Sequence, residues 1–364
     1  MPTLNSARVL IVGAGLTGLT VAARLLAAGR EVLVLESSSR CGGQIETYRE
    51  PGLVVELGAE GFVARSRALP ALCELLGSER SLVEQLTTDT YVLAEQQLVL
   101  LPPGEAARRL GFQVPEQELG RGIRSLAGGM GELIDALLAR VGNQRVRLAT
   151  PVTAIRGSVG ALELELGPTQ RETGGVVVLA TPARKAAELL TPLALPSAAA
   201  MSTAPVMSNV SVNLLYRRAA LALVPPGSGL LFPERFAGVG LRALSLSSHK
   251  FAGRAPADSV LLRVFFRPSA TVLAPGGWDD ARFASEARRA VAEVLGASAE
   301  PERSWVSRWV ELLPVLSAAH REQVGELDAA LQARGIHLAG SAFHGAGIDA
   351  AVVSAEAIAA RLAG

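Results

Sequence analysis

Residues 8–19 read RVLIVGAGLTGL, and residues 32–36 read VLVLE. Val9 to Val12 is a short apolar run rich in β-branched residues, the composition of a strand buried on both faces. Gly13-Ala14-Gly15-Leu16-Thr17-Gly18 follows as a G-x-G-x-x-G turn. In this pattern the first glycine permits a tight bend, and the second lets backbone approach a pyrophosphate. The third lets the next helix pack closely on the sheet. Leu19 to Ala28 has helix-forming composition, with Gly29 as its C-cap. Val32 to Leu35 is a second strand. Glu36 stands at its end, about twenty residues past the glycines, where a carboxylate accepts a ribose hydroxyl. The glycines alone are a weak signal. Strand before, helix after and acid at the right distance make a dinucleotide site; a plain glycine turn would not require Glu36.

Composition sets the outer bounds. The chain has 364 residues, enough for two domains and a sizeable core. Basic and acidic residues nearly cancel, 35 against 34, which argues against a general electrostatic grip on nucleic acid. Cys41 and Cys73 form no C-x-x-C and no Cys/His cluster, so no metal site is expected. With no leader-like start, the expected compartment is the cytoplasm. No run of about twenty apolar residues occurs, so no transmembrane segment is expected. The positive mean hydropathy reads as a large core with room for a greasy pocket.

A second glycine turn, Arg40-Cys41-Gly42-Gly43-Gln44, selects the dinucleotide. A nicotinamide cofactor needs only the first βαβ unit and a second mononucleotide half. The run E-x-x-x-R-x-G-G directly after the ribose acid suits a tightly held FAD. Gly42 and Gly43 allow backbone contact near the ribityl chain or flavin, and Arg40 can pair with phosphate. Val54 to Leu57 then leads as a strand into Gly58-Ala59-Glu60-Gly61, a small-residue turn suited to lining the isoalloxazine.

Further along, Ser66 to Leu76 reads as helix and Thr90 to Leu101 as a hairpin turning at Glu95-Gln96-Gln97. Glu105 to Arg124 is a short polar link containing Pro115. Gly128-Gly129 precedes a helix reaching Leu138. Val146 to Ile155 reads as strand with a bend at Pro151, and Leu162 to Leu166 as its hairpin neighbour. Val176 to Leu179 is a buried strand ending at Ala180-Thr181-Pro182, before a helix from Ala183 to Leu190. Ser208 to Leu215, Gly240 to Ser248 and Val260 to Phe266 suit a second sheet flooring a pocket. Asp279 to Leu295 is a long amphipathic helix. Ser304 to Leu313 is another strand, and His320 to Leu331 a helix. The chain closes with a strand at Ile336 to Gly340, a glycine-broken turn to Ile348, and a helix from Asp349. The amides at that helix start favour the negative charge a flavin gains on reduction.

Together these residues resemble the protoporphyrinogen oxidase family, within the FAD-dependent amine-oxidase-like superfamily. Gly13 to Gly18, Glu36-Ser37-Ser38 with Arg40, Gly42-Gly43 and Gly58 to Gly61 match its FAD half. Ser125 to Met130 is similar to its glycine-glycine-methionine turn, and Ala180-Thr181-Pro182 to its A-T-P turn. Val152 takes the place of its adenine-contacting valine. Ser248 to Pro256 (SHKFAGRAP) resembles its S-x-x-F-P-x-R-A-P, and Trp309, Pro314 and His320 its W…P…H segment. Leu338 to Ile348, then Ser354, looks like its flavin-covering terminus.

The resemblance implies an α/β fold: a Rossmann-type, amine-oxidase-like FAD domain with a second, mixed-sheet α+β substrate domain. The FAD domain would be discontinuous, from 1–75, 122–190 and 325–364. The substrate domain would be 76–121 and 191–324. Cofactor contacts would come from Gly13, Ala14, Gly15, Leu16, Thr17, Gly18, Glu36, Ser37, Arg40, Gly42, Gly43 and Gln44. Others would come from Gly58, Ala59, Glu60, Gly61, Val152, Ala180, Thr181 and Trp309, and from Gly340, Ser341, Ala346, Gly347 and Ile348. The implied activity is oxidation of protoporphyrinogen IX or coproporphyrinogen III in haem biosynthesis, by hydride transfer to flavin N5. Electrons would pass to oxygen or another acceptor. No side chain stands out as a required base; His344, in the terminal turn, is the titratable group to suspect near the flavin edge, with a structural or exposed role as the alternative.

Three departures bear on the substrate. The family's helical substrate and membrane-associating region is reduced to residues 105–124. Thr90 stands where much of the family has a carboxylate-holding arginine, which a threonine cannot replace as a bidentate partner. Arg267-Pro268 replaces a glycine pair, and Ser341 stands where relatives often have Asn, Asp or Ala. Arg242, Arg263 and Arg267 could supply carboxylate contacts in place of the missing arginine, with plain surface roles as the alternative. These departures leave open an amine oxidase or desaturase acting on a smaller substrate, and a non-catalytic FAD- or porphyrin-binding protein. They also leave open peripheral membrane contact and a homodimer that rebuilds the missing wall.

Overall fold

A computed structural model describes residues 7–363 apart from 64, 95, 96, 112–115 and 117–119. The expected hairpin turn at Glu95-Gln96, and Pro115 in the link, lie outside the described residues. The first sheet is parallel and five-stranded. Its order is Ile336–Leu338, Val176–Leu179, Val9–Val12, Val32–Leu35, Val146–Arg147. Alternate residues of each strand serve opposite faces, as the two-residue pleat requires. Val9, Ile11, Val32, Val34, Val176 and Val178 pack with the helices Leu16–Ala27, Gly131–Val141 and Ile348–Ala363. Leu10, Val12, Leu33, Leu35, Val177 and Leu179 pack on the other face with Ala183–Leu190 and Ala318–Gln332. The sheet is therefore a buried middle layer, which is why its strands read as unbroken apolar runs.

The second sheet has seven strands. Its order is Arg303–Pro314, Val206–Arg217, Ser259–Phe266, Leu241–Leu246, Gly229–Leu231, Thr90–Ala94, Gln97–Leu100. It is mixed, because Gly229–Leu231 runs parallel to Thr90–Ala94 while the other neighbours are antiparallel. The helix Asp280–Leu295 covers one face through Phe283, Ala287, Val291 and Leu295 against Val210, Val212 and Leu214.

The strand expected over 146–155 is instead two strands in different sheets. Val146–Arg147 ends the parallel sheet, and Ala154–Ser158 opens a three-stranded antiparallel sheet with Ala161–Glu165 and Arg171–Gly174. Ala149 at φ 49, and Pro151 after it, turn the chain between them. The first helix begins at Leu16, earlier than its composition suggested, with Gly29 just past its end at φ 76. Within the link, Gly104 at φ 79 opens a single helical turn, Glu105–Arg109.

Two features join the sheets. The hairpin Thr47–Glu50/Leu53–Glu56 packs through Leu53 and Val55 on Leu215 and Leu261. Arg254, 1% exposed, donates through Nη2 to Ser125 Oγ at 2.8 Å and to the Leu126 carbonyl at 3.0 Å. Its guanidinium lies over the Phe251 ring. The SHKFAGRAP segment thus ties the second sheet to the chain entering the glycine-glycine-methionine turn.

Candidate functional site

The expected cofactor residues of the first turn converge at the carboxyl ends of the parallel strands. Gly13 has φ 106, and a Cβ there would stand 2.5 Å from the Ala180 carbonyl oxygen. A Cβ on Gly18 would stand 2.0 Å from the Gly13 oxygen. Both glycines are therefore required by the chain itself. Gly15 differs: its nearest neighbour would be Gly43 Cα at 3.8 Å. Glu36 accepts from the Ala14 amide at 2.7 Å and the Ser38 amide at 2.9 Å, and Ser37 Oγ reaches it at 3.3 Å. The Gly42 amide donates to the Ala14 carbonyl, bridging the two glycine turns.

Arg40 is committed to its own loop. Its guanidinium donates to the Cys41, Gly43 and Ile45 carbonyls and pairs with Glu46 at 2.9 Å. That arrangement fixes Gly42 and Gly43 in their positive-φ conformations rather than presenting a free cation. Thr181 closes the other side, and its buried Oγ1 has no partner among the described residues. Val152 is 4% exposed in the core layer below.

Gln44 carries the chain from the turns to a cavity of about 220 Å³, lined by Gln44, Gly58, Ala59, Glu60, Asn209, Arg263, Phe265, Trp309 and Leu313. A Cβ on Gly58 would meet the Gln44 oxygen at 2.1 Å, so this approach needs glycine. Gly61 serves packing instead, since a Cβ there would stand 2.4 Å from the Arg124 oxygen. Trp309 donates through Nε1 to the Leu57 carbonyl at 3.0 Å, which orients its ring on the cavity wall.

The walls are charged. Glu60 is buried, pairs with Lys250 Nζ at 2.7 Å and accepts from Ser247 Oγ at 3.0 Å. Burial alone would raise its carboxyl, but Lys250 and Arg263 hold it below the usual range. Glu56 lies deeper. Burial raises it to about 7, against opposing hydrogen bonds from Thr47 Oγ1 and the Met130 amide. Neither Glu56 nor the Arg263–Glu60–Lys250 grouping was singled out in the sequence as a charge cluster. Their residues lie on separate segments and meet only in the fold.

The terminal residues do not line this cavity. The Gly340 amide donates to Ser354 Oγ at 2.9 Å, which fixes the turn through Ser341 against the terminal helix. A Cβ on Gly340 would crowd Thr17 Oγ1 at 2.9 Å, so this turn lies against the first glycine turn. Ala346 and Gly347 are exposed, and Ile348 is buried at the helix start. His344 turns back toward the Leu338 carbonyl at 3.1 Å and Asp328 at 3.5 Å, away from the cavity. Thr90 Oγ1 faces the Thr88 carbonyl at 3.4 Å.

This fold and glycine frame define a class, and comparison with known proteins agrees. Residues 104–363 match the family described as flavin containing amine oxidoreductase, and residues 11–76 match an NAD(P)-binding Rossmann-like domain. The chain belongs to the flavin containing amine oxidoreductase family and is an FAD-dependent oxidoreductase. Within it, the similarity runs to proteins named coproporphyrinogen III oxidase. That of Mycobacterium tuberculosis H37Rv is 28% identical, with 95% of each chain covered. That of Bacillus subtilis is 22% identical over 93% of this chain and 94% of its own. That of Propionibacterium freudenreichii is 32% identical over 238 residues, 64% of this chain and 44% of its own length. A crystal structure from Exiguobacterium sp. 255-15, provisionally named a protoporphyrinogen oxidase, superposes with TM-score 0.82 at 22% identity, covering 98% of both chains. Cyclohexylamine oxidase from Brevibacterium oxydans shares the fold at TM-score 0.71 and 18% identity, covering 98% of this chain and 99% of its own. No helix among the described residues is long and apolar enough to cross a membrane.

Proposed function

We propose that this chain oxidises a porphyrinogen, coproporphyrinogen III or protoporphyrinogen IX, to the porphyrin in haem biosynthesis. The observation that carries the reading is end-to-end similarity to relatives named coproporphyrinogen III oxidase, 95% of each chain in the Mycobacterium tuberculosis case.

The residues fit FAD. Gly15 is bare where no protein atom requires it, the first helix has no side-chain cap, and Thr181 Oγ1 is a buried orphan beside them. On this reading Gly13 to Gly18 hold the pyrophosphate and Glu36 with Ser37 the ribose. Gly42 to Gln44, Gly58 to Gly61, Ala180, Thr181 and Trp309 seat the rest, with Val152 beneath and Gly340 to Ile348 closing over it. When bound, FAD supplies the electron-pair acceptor for hydride leaving a substrate carbon. The chain's own part is to bind, orient and exclude water. Phe265, Trp309 and Leu313 give the cavity apolar walls, and Arg263 and Glu60 set its charge. No side-chain base is invoked, and His344 serves the terminal turn.

The two-sheet division supports the discontinuous FAD domain of 1–75, 122–190 and 325–364, with 76–121 and 191–324 as the substrate domain. Oxygen or another acceptor would reoxidise the flavin. A cytoplasmic protein, in contact with the membrane surface or as a homodimer, fits the shortened link. The shortened link over 105–124, which leaves little chain to enclose a macrocycle, favours a second reading, a smaller amine or polyene.

Anaerobic mixing of the FAD-loaded protein with each porphyrinogen tests the proposal. Flavin bleaching matched by porphyrin fluorescence is the expected result. A flavin that stays oxidised with both, but bleaches with an amine or polyene, would replace it with the second reading.

A further inference from the structure

The terminal turn from Gly340 to Ile348 abuts the dinucleotide turn at Thr17, and one helix holds it at two points. The Phe343 and His344 amides fold back on the Gly340 carbonyl, each at 3.1 Å. The Ala342 carbonyl is answered by a side chain instead. It lies 2.9 Å from His320 Nε2, in the first turn of the helix Ala318–Gln332. A carbonyl only accepts, so Nε2 carries the proton. His320 is 2% exposed, and its Nδ1 has no partner among the described residues. The ring therefore spends its one N–H on the turn. Asp328, eight residues further along the same helix, holds the other end. Its Oδ2 is 3.5 Å from His344 Nε2, which also faces the Leu338 carbonyl at 3.1 Å. Eight residues make about 12 Å of helix. Val324 and Leu327, between them, are buried in one core with Phe343 of the turn.

Burying an imidazole among apolar side chains is costly unless its N–H is answered. Packing alone would be served by leucine, so the hydrogen bond is what the histidine adds. We propose that His320 is a positioning residue for FAD, acting through the Ala342 carbonyl to set the terminal turn against the cofactor. The proposal rests on the reading that Gly340 to Ile348 closes over FAD, and not on the porphyrinogen. A turn held in this way keeps the first amides of the helix Ile348–Ala363 where they favour the negative charge of a reduced flavin.

The test uses wild type, H320Q and H320L. Glutamine places its amide nitrogen near the site of Nε2 and still donates; leucine fills similar space and cannot. FAD is titrated into each apoprotein and followed by flavin fluorescence. Sulfite is titrated into each holoprotein and followed by flavin absorbance. Sulfite adds to the flavin and leaves negative charge on the ring, so its affinity reads the local electrostatics. H320L is expected to weaken both FAD and sulfite by about tenfold, the worth of one hydrogen bond, with H320Q within about threefold of wild type. Amide exchange at Phe343 and His344 should quicken in H320L, with Val176–Leu179 unchanged. Equal losses in H320L and H320Q overturn the inference, since the ring would then serve packing alone. So does an H320L that matches wild type in both affinities. If H320L fails to fold, wild type carries the test. Isotope-labelled histidine spectra should show His320 protonated on Nε2, with a resonance that moves when FAD binds. Protonation on Nδ1, or a resonance that stays put, overturns it. FAD that slows no amide from Ser341 to Ile348 in wild type sinks the closing-turn reading and this inference together. Slowing there beside an unaffected H320L sinks the inference alone.

Discussion

At Gly18 an added Cβ would stand 2.0 Å from the Gly13 oxygen, whereas at Gly15 it would meet nothing closer than 3.8 Å. Gly18→Ala should therefore cost about 1–3 kcal/mol by overpacking. Gly15→Ala should leave the apoprotein within about 0.5 kcal/mol of wild type, yet lower its FAD content. Thermal melts of the apoproteins and flavin absorbance of the purified variants check both. Glu56 and His337 are predicted to bend stability with pH in opposite directions. Burial raises Glu56 from 4.5 to about 7, so between those values the folded state binds the extra proton, and stability falls as pH rises. Burial, with Arg361, lowers His337 from 6.5 to about 4, so the unfolded state binds the extra proton, and stability falls as pH drops. Each is worth up to ~3.5 kcal/mol at about 1.4 kcal/mol per pH unit. Melting from pH 4 to 8 should show Glu56→Gln gaining on wild type as pH rises. His337→Gln should gain as pH falls. The glycines were readable in sequence because a turn pattern is local. The two titrations were not, because burial is set by neighbours from distant segments.

At the scale of elements, the helices Asp280–Leu295 and Ala318–Gln332 begin where a side chain satisfies one of their first amides. Asp279 Oδ1 accepts from the Arg282 amide at 2.8 Å, and Ser317 Oγ from the His320 amide at 3.1 Å. Asp279→Ala and Ser317→Ala should each lower stability by about 1 kcal/mol without changing FAD content. Melting temperatures beside flavin absorbance decide it, and lost flavin in either variant would show that the helix does more than pack. The face of Ala284, Ala287, Val291 and Leu295 was legible from helical periodicity, whereas Phe283 on the same face and the cap at Asp279 were not singled out. The stretch from 146 to 155 misled because apolar and β-branched residues resume after Pro151, so it read as one bent strand. Its division between two sheets depends on Ala149 at φ 49, a conformation composition does not announce.

Across the whole molecule, the cavity draws Gly58, Ala59 and Glu60 from the chain leaving the hairpin, and Asn209, Arg263, Phe265 and Trp309 from the seven-stranded sheet. If FAD reaches this cavity, its binding should protect both sheets. FAD at about 100 times its Kd should stabilise the protein by about 2.7 kcal/mol. Amide exchange should slow in Ser259–Phe266 as well as in Val176–Leu179. Protection confined to the parallel sheet would place the cofactor short of the cavity. The sequence by itself determined the first two strands of the parallel sheet, the dinucleotide turn and its acid, because strand, turn, helix and acid lie within thirty residues. Their spacing alone brings them together. Only the tertiary structure decided the work of the charged residues. Arg40 became a loop brace, Arg254 a tie between sheets and Arg263 a cavity wall. His344 turned toward Asp328. The same side-chain chemistry serves each purpose, and burial and long-range neighbours choose among them.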